Sequence, residues 1–571
     1  MAVDDGTTTG ATTAIHPAGG GTATVTAAAW SRLDALARAP GASAIRPLFA
    51  ADPDRFARFS RRLPSEGGDL LLDLSKTPIS PETLDALLGL ARARDVRGAL
   101  AAMARGEIAN ATERRAVLHT ALRAPRGEAI TTSDGEDASA AVHATLDAMR
   151  VFTARVHGER GHLTDVLNVG IGGSDLGPRM VARALWTPEA GRMRPHYLAN
   201  ADGHDWEAVR AGLDPARTLV LVASKTFTTA ETMSNARLVR AWLVEALGED
   251  AAKERLVALS TNLAATRAFG VPEGQVFGFR DWVGGRFSLW SAVGLSLALA
   301  LGWDAFERLL AGARAMDEHA LSAPEAENLP LLMALAEVWH VDGLGYPARA
   351  VLPYDERLAR FPAHLQQLEM ESLGKRVTAD GAPVARPTGP VVFGEPGTNC
   401  QHSFMQLLHQ GTTPVPADIL LVARPNHPHE DAHRLVLANG LAQAEALLMG
   451  RDEAGVRAEM AGQPEGEIAR LLPHRTFPGD RPSTTVVLPR LTPFTMGQLV
   501  ALYEHKVACL GAIWGVDAFD QWGVELGKTL AGAILPELKP DGPVRPHDAS
   551  TAGLIAELRR AASATTGGDG D

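Results

Sequence analysis

Residues 166–174 have the sequence Val-Leu-Asn-Val-Gly-Ile-Gly-Gly-Ser, and residues 219–229 have the sequence Leu-Val-Leu-Val-Ala-Ser-Lys-Thr-Phe-Thr-Thr. Each stretch is a short apolar run that ends in small or hydroxyl residues and leads into a helical pattern, through Leu185 and through Leu247. Alternation of apolar strands with helices is typical of a parallel sheet with helices on both faces. These stretches therefore predict an α/β fold.

A second set of apolar runs, at residues 350–354, 391–394 and 419–423, predicts a second α/β domain. Helical patterns before the first set, such as those starting at Pro81 and at Thr112, predict a helical N-terminal region in which Thr112 is an N-cap. Another helix fits residues 138–156. The expected organisation is a disordered Thr/Ala/Gly-rich tail at 1–25, a helical N-terminal region packing on the large domain at 26–139, a first domain at 140–305, a second domain at 306–530, and a C-terminal arm and tail at 531–571.

Composition restricts the class of protein. The 571 residues are 46% apolar and 21% charged, as in ordinary globular proteins. The net charge of -12 offers no basic excess for a phosphate backbone, so we expect no nucleic-acid partner. The two cysteines form no disulfide framework, and no secretory signal is recognisable, so a cytoplasmic location is expected. The apolar run at 287–303 is interpreted as a buried core helix and not as a membrane span.

The loops after the first two strands are suited to a small phosphate group. Gly170-Ile-Gly-Gly-Ser-Asp-Leu-Gly177 offers unobstructed backbone N–H groups, the Ser174 hydroxyl and a helix N-terminus. Ser224-Lys-Thr-Phe-Thr-Thr229 adds four hydroxyls and one ammonium group. Neither loop matches a nucleotide-binding motif. The alternative is a pair of tight turns with capping residues.

Further polar residues are weaker candidates when considered singly. Arg286 follows two glycines and could stabilise an anion, or it could be a surface residue in a turn. Gln367 and Glu371 are four residues apart on a predicted helix and share a face, although a lone helical glutamate is usually solvated. His402 ends a glycine-rich passage before a helix, where it could exchange protons or simply cap and pack.

Three other features complete the inspection of polar residues. Gln521 and Lys528 are seven residues apart and would share a helical face, although an amphipathic helix with a solvated lysine is the alternative. The histidines at 427, 429 and 433 fit no familiar metal pattern and are interpreted as a polar loop entering a helix at 435. Cys400 and Cys509 are interpreted as packing residues, not as nucleophiles.

Together and in this order, the motifs resemble those of the phosphoglucose isomerase family. The resemblance is carried by long stretches that begin at Asn168, Ser224, Asp281, Gln366, Gly394 and Phe519, namely NVGIGGSDLGP, SKTFTT, DWVGGR, QQLEMESLGK, GEPGTNCQH and FDQWGVELGK. Weaker likeness extends from about residue 70 to residue 555. The chain departs from the family at Cys400, where the family often has Gly, and at His204.

The resemblance implies two sugar-isomerase domains of the doubly wound, flavodoxin-like α/β type and an intertwined homodimer. It implies a cofactor-free and metal-free interconversion of glucose 6-phosphate and fructose 6-phosphate, in glycolysis and gluconeogenesis. The same resemblance implies roles for individual residues. The phosphate-binding positions are Gly173, Ser174, Ser224, Lys225, Thr226 and Thr229.

The remaining roles implied by the resemblance concern the reacting sugar. Glu371 would move a proton between C1 and C2, and Arg286 would stabilise the enediolate. His402, donated to the partner subunit's site, and Lys528 would open the ring. Substrate hydroxyls or phosphate would be held by Gln367 and Gln521.

Two alternatives stay open on the sequence. An isomerase that also accepts mannose 6-phosphate or another aldose phosphate differs in pocket shape, which the sequence does not reveal. A non-catalytic sugar-phosphate sensor built on the same domains would be expected to lack Glu371, His402, Arg286 or Lys528 and to carry a DNA-binding module. Neither feature of a sensor is recognisable here.

Overall fold

One parallel sheet and one mostly parallel, mixed sheet organise the computed structural model, which describes residues 20–565. The strands, numbered along the chain, are β1 Ser60–Ser65, β2 Gly68–Asp73, β3 Ile108–Asn110, β4 Arg115–Ala116, β5 Asp165–Val169, β6 Arg194–Leu198, β7 Thr218–Ala223, β8 Leu256–Leu259, β9 Val276–Phe277, β10 Ala348–Tyr354, β11 Val391–Gly394, β12 Ala417–Arg424 and β13 Ser483–Arg490.

The α-helices are numbered in the same way. The first eleven are α1 Gly20–Ala37, α2 Arg46–Ala51, α3 Arg55–Phe59, α4 Pro81–Ala93, α5 Val96–Ala104, α6 Ala138–Gly158, α7 Leu176–Leu185, α8 Gly203–Arg210, α9 Ala230–Leu247, α10 Glu249–Lys253 and α11 Leu263–Phe269. The others are α12 Leu295–Leu301, α13 Trp303–Ser322, α14 Leu329–Val338, α15 Phe361–Leu365, α16 Met405–Gln410, α17 Glu430–Met449, α18 Glu453–Glu459, α19 Glu465–Arg475, α20 Pro493–Trp514, α21 Glu525–Ile534 and α22 Ala549–Thr565.

The first sheet has the strand order β6-β5-β7-β8-β9, and all of its pairs are parallel. Numbered within the domain this is 2-1-3-4-5, the doubly wound order of flavodoxin-like folds. The second sheet repeats the pattern with β11-β10-β12-β13. Both sheets therefore have a switch point beside their first strand, and the predicted α/β fold class is confirmed.

The N-terminal region is not purely helical, which corrects the expectation for residues 26–139. β1 and β2 form a hairpin whose second strand pairs antiparallel with β13, so this region extends the second sheet. The helix expected to start at Thr112 is also wrong. The Glu113 N–H donates to Asn110 Oδ1 over 3.0 Å, and Arg114 has a φ of 52°, so these residues turn the chain between β3 and β4.

The ends of the chain also differ from expectation. Helix α1 includes residues 20–25, so the disordered tail expected at 1–25 is wrong for these residues, and residues 1–19 of that tail lie outside the described residues. Within residues 20–565 the chain divides into a main unit that ends at Phe519 and a C-terminal unit that begins at Asp520, earlier than the expected arm at 531. Both sheets belong to the main unit, so the domain boundary at 305 stays a prediction.

The long helix α20 lies in the core of the main unit and packs against α13 and α14. A capping box formed by Thr492 and Thr495 starts it, Pro493 occupies its first turn, and Gly515 ends it with a φ of 70°. The apolar run at 287–303 is buried, but it is broken into 3₁₀ turns followed by α12. Between residues 20 and 565, no helix is both long and apolar enough to cross a membrane.

Candidate active site

The two predicted phosphate loops lie side by side at the carboxyl edge of the first sheet. Residues 170–174 follow β5, residues 224–229 follow β7, and these two strands pair with each other. β6 lies on the other side of β5, so the loops flank the point where the strand order reverses. Crevices at this point of open α/β sheets are where ligands bind.

The first loop packs tightly against the segment that carries Arg286. Gly172 has a φ of +59°, and a Cβ added at Gly173 would lie 2.0 Å from the carbonyl oxygen of Gly285. Only glycine therefore permits this approach. Asn168 Nδ2 donates to the Ser174 carbonyl over 2.9 Å and holds the loop at the end of β5.

The second loop gathers hydroxyl groups next to a lysine. Ser224 Oγ and Thr229 Oγ1 are 3.2 Å apart, and the Lys225 ammonium lies 2.9 Å from Asp281 Oδ1. The hydrogen bond from Lys225 lowers the pKa of the Asp281 carboxyl. Phe227 has a φ of 57° and a buried ring, so it turns the backbone between the flanking hydroxyl residues. Thr226, in the same turn, is exposed.

Arg286 is buried and contacts the predicted base directly. Its Nη1 lies 3.4 Å from Glu371 Oε2, and the exposed fractions of the two side chains are 1% and 19%. Arg286 Nε donates to Ser372 Oγ over 2.6 Å, and Nη2 donates to the Ala518 carbonyl over 2.7 Å. The guanidinium therefore has a fixed orientation, and the interpretation of Arg286 as a surface residue in a turn is excluded.

Glu371 lies on an irregular turn, not on the regular helix expected for residues 361–372. Helix α15 ends at Leu365, and residues Gln366–Glu371 form a π turn. Such turns are rare and are frequent at functional sites. Gln367 lies next to the first loop, because its Nε2 is 3.1 Å from the position that a Cβ on Gly172 would occupy. Loop, arginine, glutamine and glutamate thus form one cluster.

His402 is exposed at the end of a 3₁₀ turn, Asn399–His402, that follows β11. Cys400 in the same turn is buried, and burial raises the pKa of its thiol to about 11, so it is not an activated nucleophile. Cys509 lies in the core on α20, and its thiol pKa is raised to about 12 for the same reason.

Gln521 and Lys528 belong to the C-terminal unit. The predicted shared helical face is wrong, because α21 begins only at Glu525 and Gln521 precedes a 3₁₀ turn. Lys528 Nζ lies on α21, 2.9 Å from Glu525 Oε1.

The sequence interpretation missed two supporting side chains. Ser372 orients Arg286 and Asp281 pairs with Lys225. Ser372 directly follows Glu371, and Asp281 begins the DWVGGR stretch. Their positions inside these motifs are the signal that could have identified them. The polar loop at 426–433 enters its helix at residue 430, earlier than expected. Within residues 20–565, no group of three His, Cys, Asp or Glu side chains is arranged to hold a metal ion.

Known proteins match this chain over nearly its whole length. A family model described as phosphoglucose isomerase matches residues 73–555. A glucose-6-phosphate isomerase of Xanthobacter autotrophicus is 52% identical over 523 residues, covering 90% of this chain and 94% of that protein. A glucose-6-phosphate isomerase of Caulobacter vibrioides is 50% identical over 541 residues, covering 93% of this chain and 99% of that protein.

Solved structures agree with the sequence relatives. The crystal structure of a glucose-6-phosphate isomerase from Chlamydia trachomatis superposes with a TM-score of 0.76 at 31% identity, covering 95% of this chain and 98% of that one. Because the family model spans most of the chain and the relatives match it nearly end to end, the chain belongs to the phosphoglucose isomerase family.

Proposed function

We propose that this chain catalyses the reversible isomerisation of D-glucose 6-phosphate and D-fructose 6-phosphate, as an aldose–ketose isomerase of glycolysis and gluconeogenesis. The single observation that carries the chemistry is the contact of Arg286 Nη1 with Glu371 Oε2 at 3.4 Å, beside two phosphate-type loops. A carboxylate next to a fixed guanidinium is suited to moving a proton while negative charge develops on neighbouring oxygens.

The phosphate is bound by the two loops at the switch point of the first sheet. Backbone N–H groups at Gly173 and Ser174 and the ammonium of Lys225 offer donors, and so do the hydroxyls of Ser224, Thr226 and Thr229. Binding of this remote group supplies free energy that positions the reacting carbons near Glu371.

Proton transfer between C1 and C2 is assigned to Glu371. Its carboxylate removes the proton from C2 of the open aldose, which gives an enediolate with the negative charge on O1. A proton passes from O2 to O1, and the carboxylate returns its own proton to C1, which gives the ketose. Arg286 donates to the enediolate oxygen on which the negative charge develops, because its fixed guanidinium is already next to the base. Gln367, on the first-loop side of the π turn, binds substrate hydroxyls or phosphate.

Ring opening needs an acid at the ring oxygen and a base at the anomeric hydroxyl. We assign these roles to His402 and Lys528, and we assign substrate binding to Gln521. His402 is exposed on its 3₁₀ turn, which is compatible with its donation to the site of a second copy.

The proposed partner is that second copy, in a homodimer. The apolar side chains of α21 support it, because Leu526 is 69% exposed and Leu530 is 52% exposed. Such a helical stripe is expected to be buried in an assembly.

A cytoplasmic location remains a prediction, supported by two buried cysteines that form no disulfide.

The test is a coupled assay that measures glucose 6-phosphate formed from fructose 6-phosphate, with and without a chelator. We expect conversion in both conditions, and a loss of about 10²–10⁴-fold in Glu371→Gln, which keeps the shape of the side chain but removes the base. Near wild-type turnover of this variant would show that the base is another residue. Absence of conversion by the wild-type protein would refute the function.

A further inference from the structure

A buried cluster of five charged side chains lies on the core side of the π turn. This buried charge cluster consists of Glu337 on α14, Arg349 on β10, Glu369 on the π turn, Asp418 on β12 and Lys506 on α20. None of the five residues is more than 4% exposed. The cluster contains none of the residues assigned to substrate binding or proton transfer.

Both cations of the cluster contact the carboxylate of Glu369, and both also contact that of Glu337. Arg349 forms ion pairs with Glu369 and with Asp418, and its Nε lies 3.0 Å from Glu337 Oε2. Lys506 Nζ lies 2.5 Å from Glu337 Oε2 and 3.3 Å from Glu369 Oε2. Glu369 is thereby held by both cations, one from a strand and one from the core helix α20.

Stability alone is a poor reason for such a cluster. Burying charges has a desolvation cost that often exceeds the attraction between them, and well-packed apolar residues can replace them without loss. Here three carboxylates face two cations, and the Oε1 atoms of Glu337 and Glu369 are buried without a hydrogen-bond partner. An arrangement that stabilises poorly but fixes one side chain in place points to a positioning role.

Glu369, the side chain that the cluster fixes, lies two residues before Glu371, the proposed base. Side chains two positions apart on a helical turn point to different sides. Accordingly Glu369 is buried in the cluster, whereas Glu371 contacts Arg286 at the site. We propose that the buried charge cluster is a positioning device, in which Arg349 and Lys506 hold Glu369 and thereby set the position of the π turn that presents Glu371 and Gln367.

This inference rests on the proposed function, because it needs Glu371 to act on the substrate. The positioning residues would contribute mainly to turnover, since the phosphate loops belong to the first sheet and only Gln367 among the phosphate-binding candidates lies on the π turn. Misplacing a reacting group by about 1 Å can cost on the order of 10²-fold in rate. Loosening the cluster should therefore lower kcat by about 10–100-fold.

The experiment compares Glu369→Gln and Lys506→Met with the control Arg55→Met. Glu369→Gln keeps the shape and leaves two carboxylates facing two cations, so it is the milder change. Arg55 is 1% exposed and donates to the carbonyls of Ser75, Thr77 and Ile79. Arg55→Met therefore removes a buried cation whose hydrogen bonds are made away from the π turn.

Three quantities are measured on each full-length variant: kcat per folded molecule, the inhibition constant of a phosphorylated sugar acid, and the unfolding temperature. We expect a lower unfolding temperature in all three variants and an inhibition constant within about threefold of wild type. Only Glu369→Gln and Lys506→Met should lose kcat.

A kcat within about threefold of wild type in Glu369→Gln would overturn the inference, whether or not Lys506→Met folds. A loss of kcat in Arg55→Met equal to that in the cluster variants would overturn it too, because general loosening of the core would then explain the result. Wild-type protein and Glu371→Gln are run in parallel. An inactive wild type refutes the proposed function, and an active Glu371→Gln refutes the base assignment.

Discussion

Replacing Arg286 with lysine tests the geometry of the site, because lysine keeps the positive charge but lacks the planar guanidinium with its several N–H donors. The guanidinium contacts Ser372 Oγ at 2.6 Å from Nε, the Ala518 carbonyl at 2.7 Å from Nη2, and Glu371 Oε2 at 3.4 Å from Nη1, each through a different nitrogen. A lysine side chain ends in one nitrogen and cannot reach all three.

The expected magnitudes follow from these contacts. Leaving the Ser372 hydroxyl and the Ala518 carbonyl without this donor costs about 1–3 kcal/mol each in the free energy of unfolding. Loss of a fixed donor at the developing oxyanion lowers kcat by about 10²–10³-fold, which corresponds to ~3–4 kcal/mol. The rate effect should therefore exceed what partial unfolding explains at moderate temperature.

The assay is conversion of fructose 6-phosphate to glucose 6-phosphate, with thermal unfolding measured on the same samples. The matched control is Arg280→Lys, in the same loop. Arg280 is 54% exposed and pairs with Glu136 at 3.0 Å, so its loss should cost no more than about 1 kcal/mol. A kcat of Arg286→Lys within about threefold of wild type would refute the role given to the guanidinium.

Three further predictions concern the phosphate, the ring and the stability. Changing Ser224 and Lys225 together to Ala should raise the inhibition constant of a phosphorylated sugar acid, and an unchanged constant would place the phosphate elsewhere. His402→Ala should damage turnover of glucose 6-phosphate far more than C2 deuterium exchange on a short aldose phosphate that cannot cyclise; equal losses would contradict a role in ring opening alone. Burial raises the pKa of Asp342 to about 7 from its ordinary value of 3.8, and Trp514 Nε1 donates to it over 2.8 Å. The stability that this carboxyl contributes is complete below its unfolded pKa and is lost as pH rises through 7, so Asp342→Asn should gain stability relative to wild type from pH 5 to pH 9, by at most about 3 kcal/mol. If the difference in unfolding temperature between Asp342→Asn and wild type is the same at pH 5 and at pH 9, this prediction is contradicted.

The strands that carry the site were predictable because they are buried and apolar. Runs near residues 166–171, 219–223 and 419–423 correspond to β5, β7 and β12. The hairpin β1–β2 was not predicted, because Ser60-Arg-Arg-Leu-Pro-Ser65 is polar and contains a proline, as edge strands can. Its position depends on pairing with β13, which no local pattern encodes.

Within the site, spacing alone was a poor guide to shared faces and did not reveal the contacts that orient the side chains. Gln367 and Glu371 lie on a π turn and not on a regular helix, and Gln521 lies outside the helix that carries Lys528. The hydrogen bond from Arg286 to Ser372 joins residues 86 positions apart, and the Lys225–Asp281 pair joins two loops. Such pairings depend on how the loops meet, which only the folded chain determines.

The pairing of β2 with β13 has a consequence for synthesis on the ribosome. Asp73 on β2 is opposite Thr485 on β13, so the partner strand of β2 is synthesised about 410 residues later. At ordinary rates of translation this delay is roughly 20–80 s. The strands of the first sheet all lie between residues 165 and 277, so that sheet can close long before. During the interval the unpaired N–H and C=O groups of β2 are open to wrong partners, so an edge that can seed aggregation persists after the first sheet has closed.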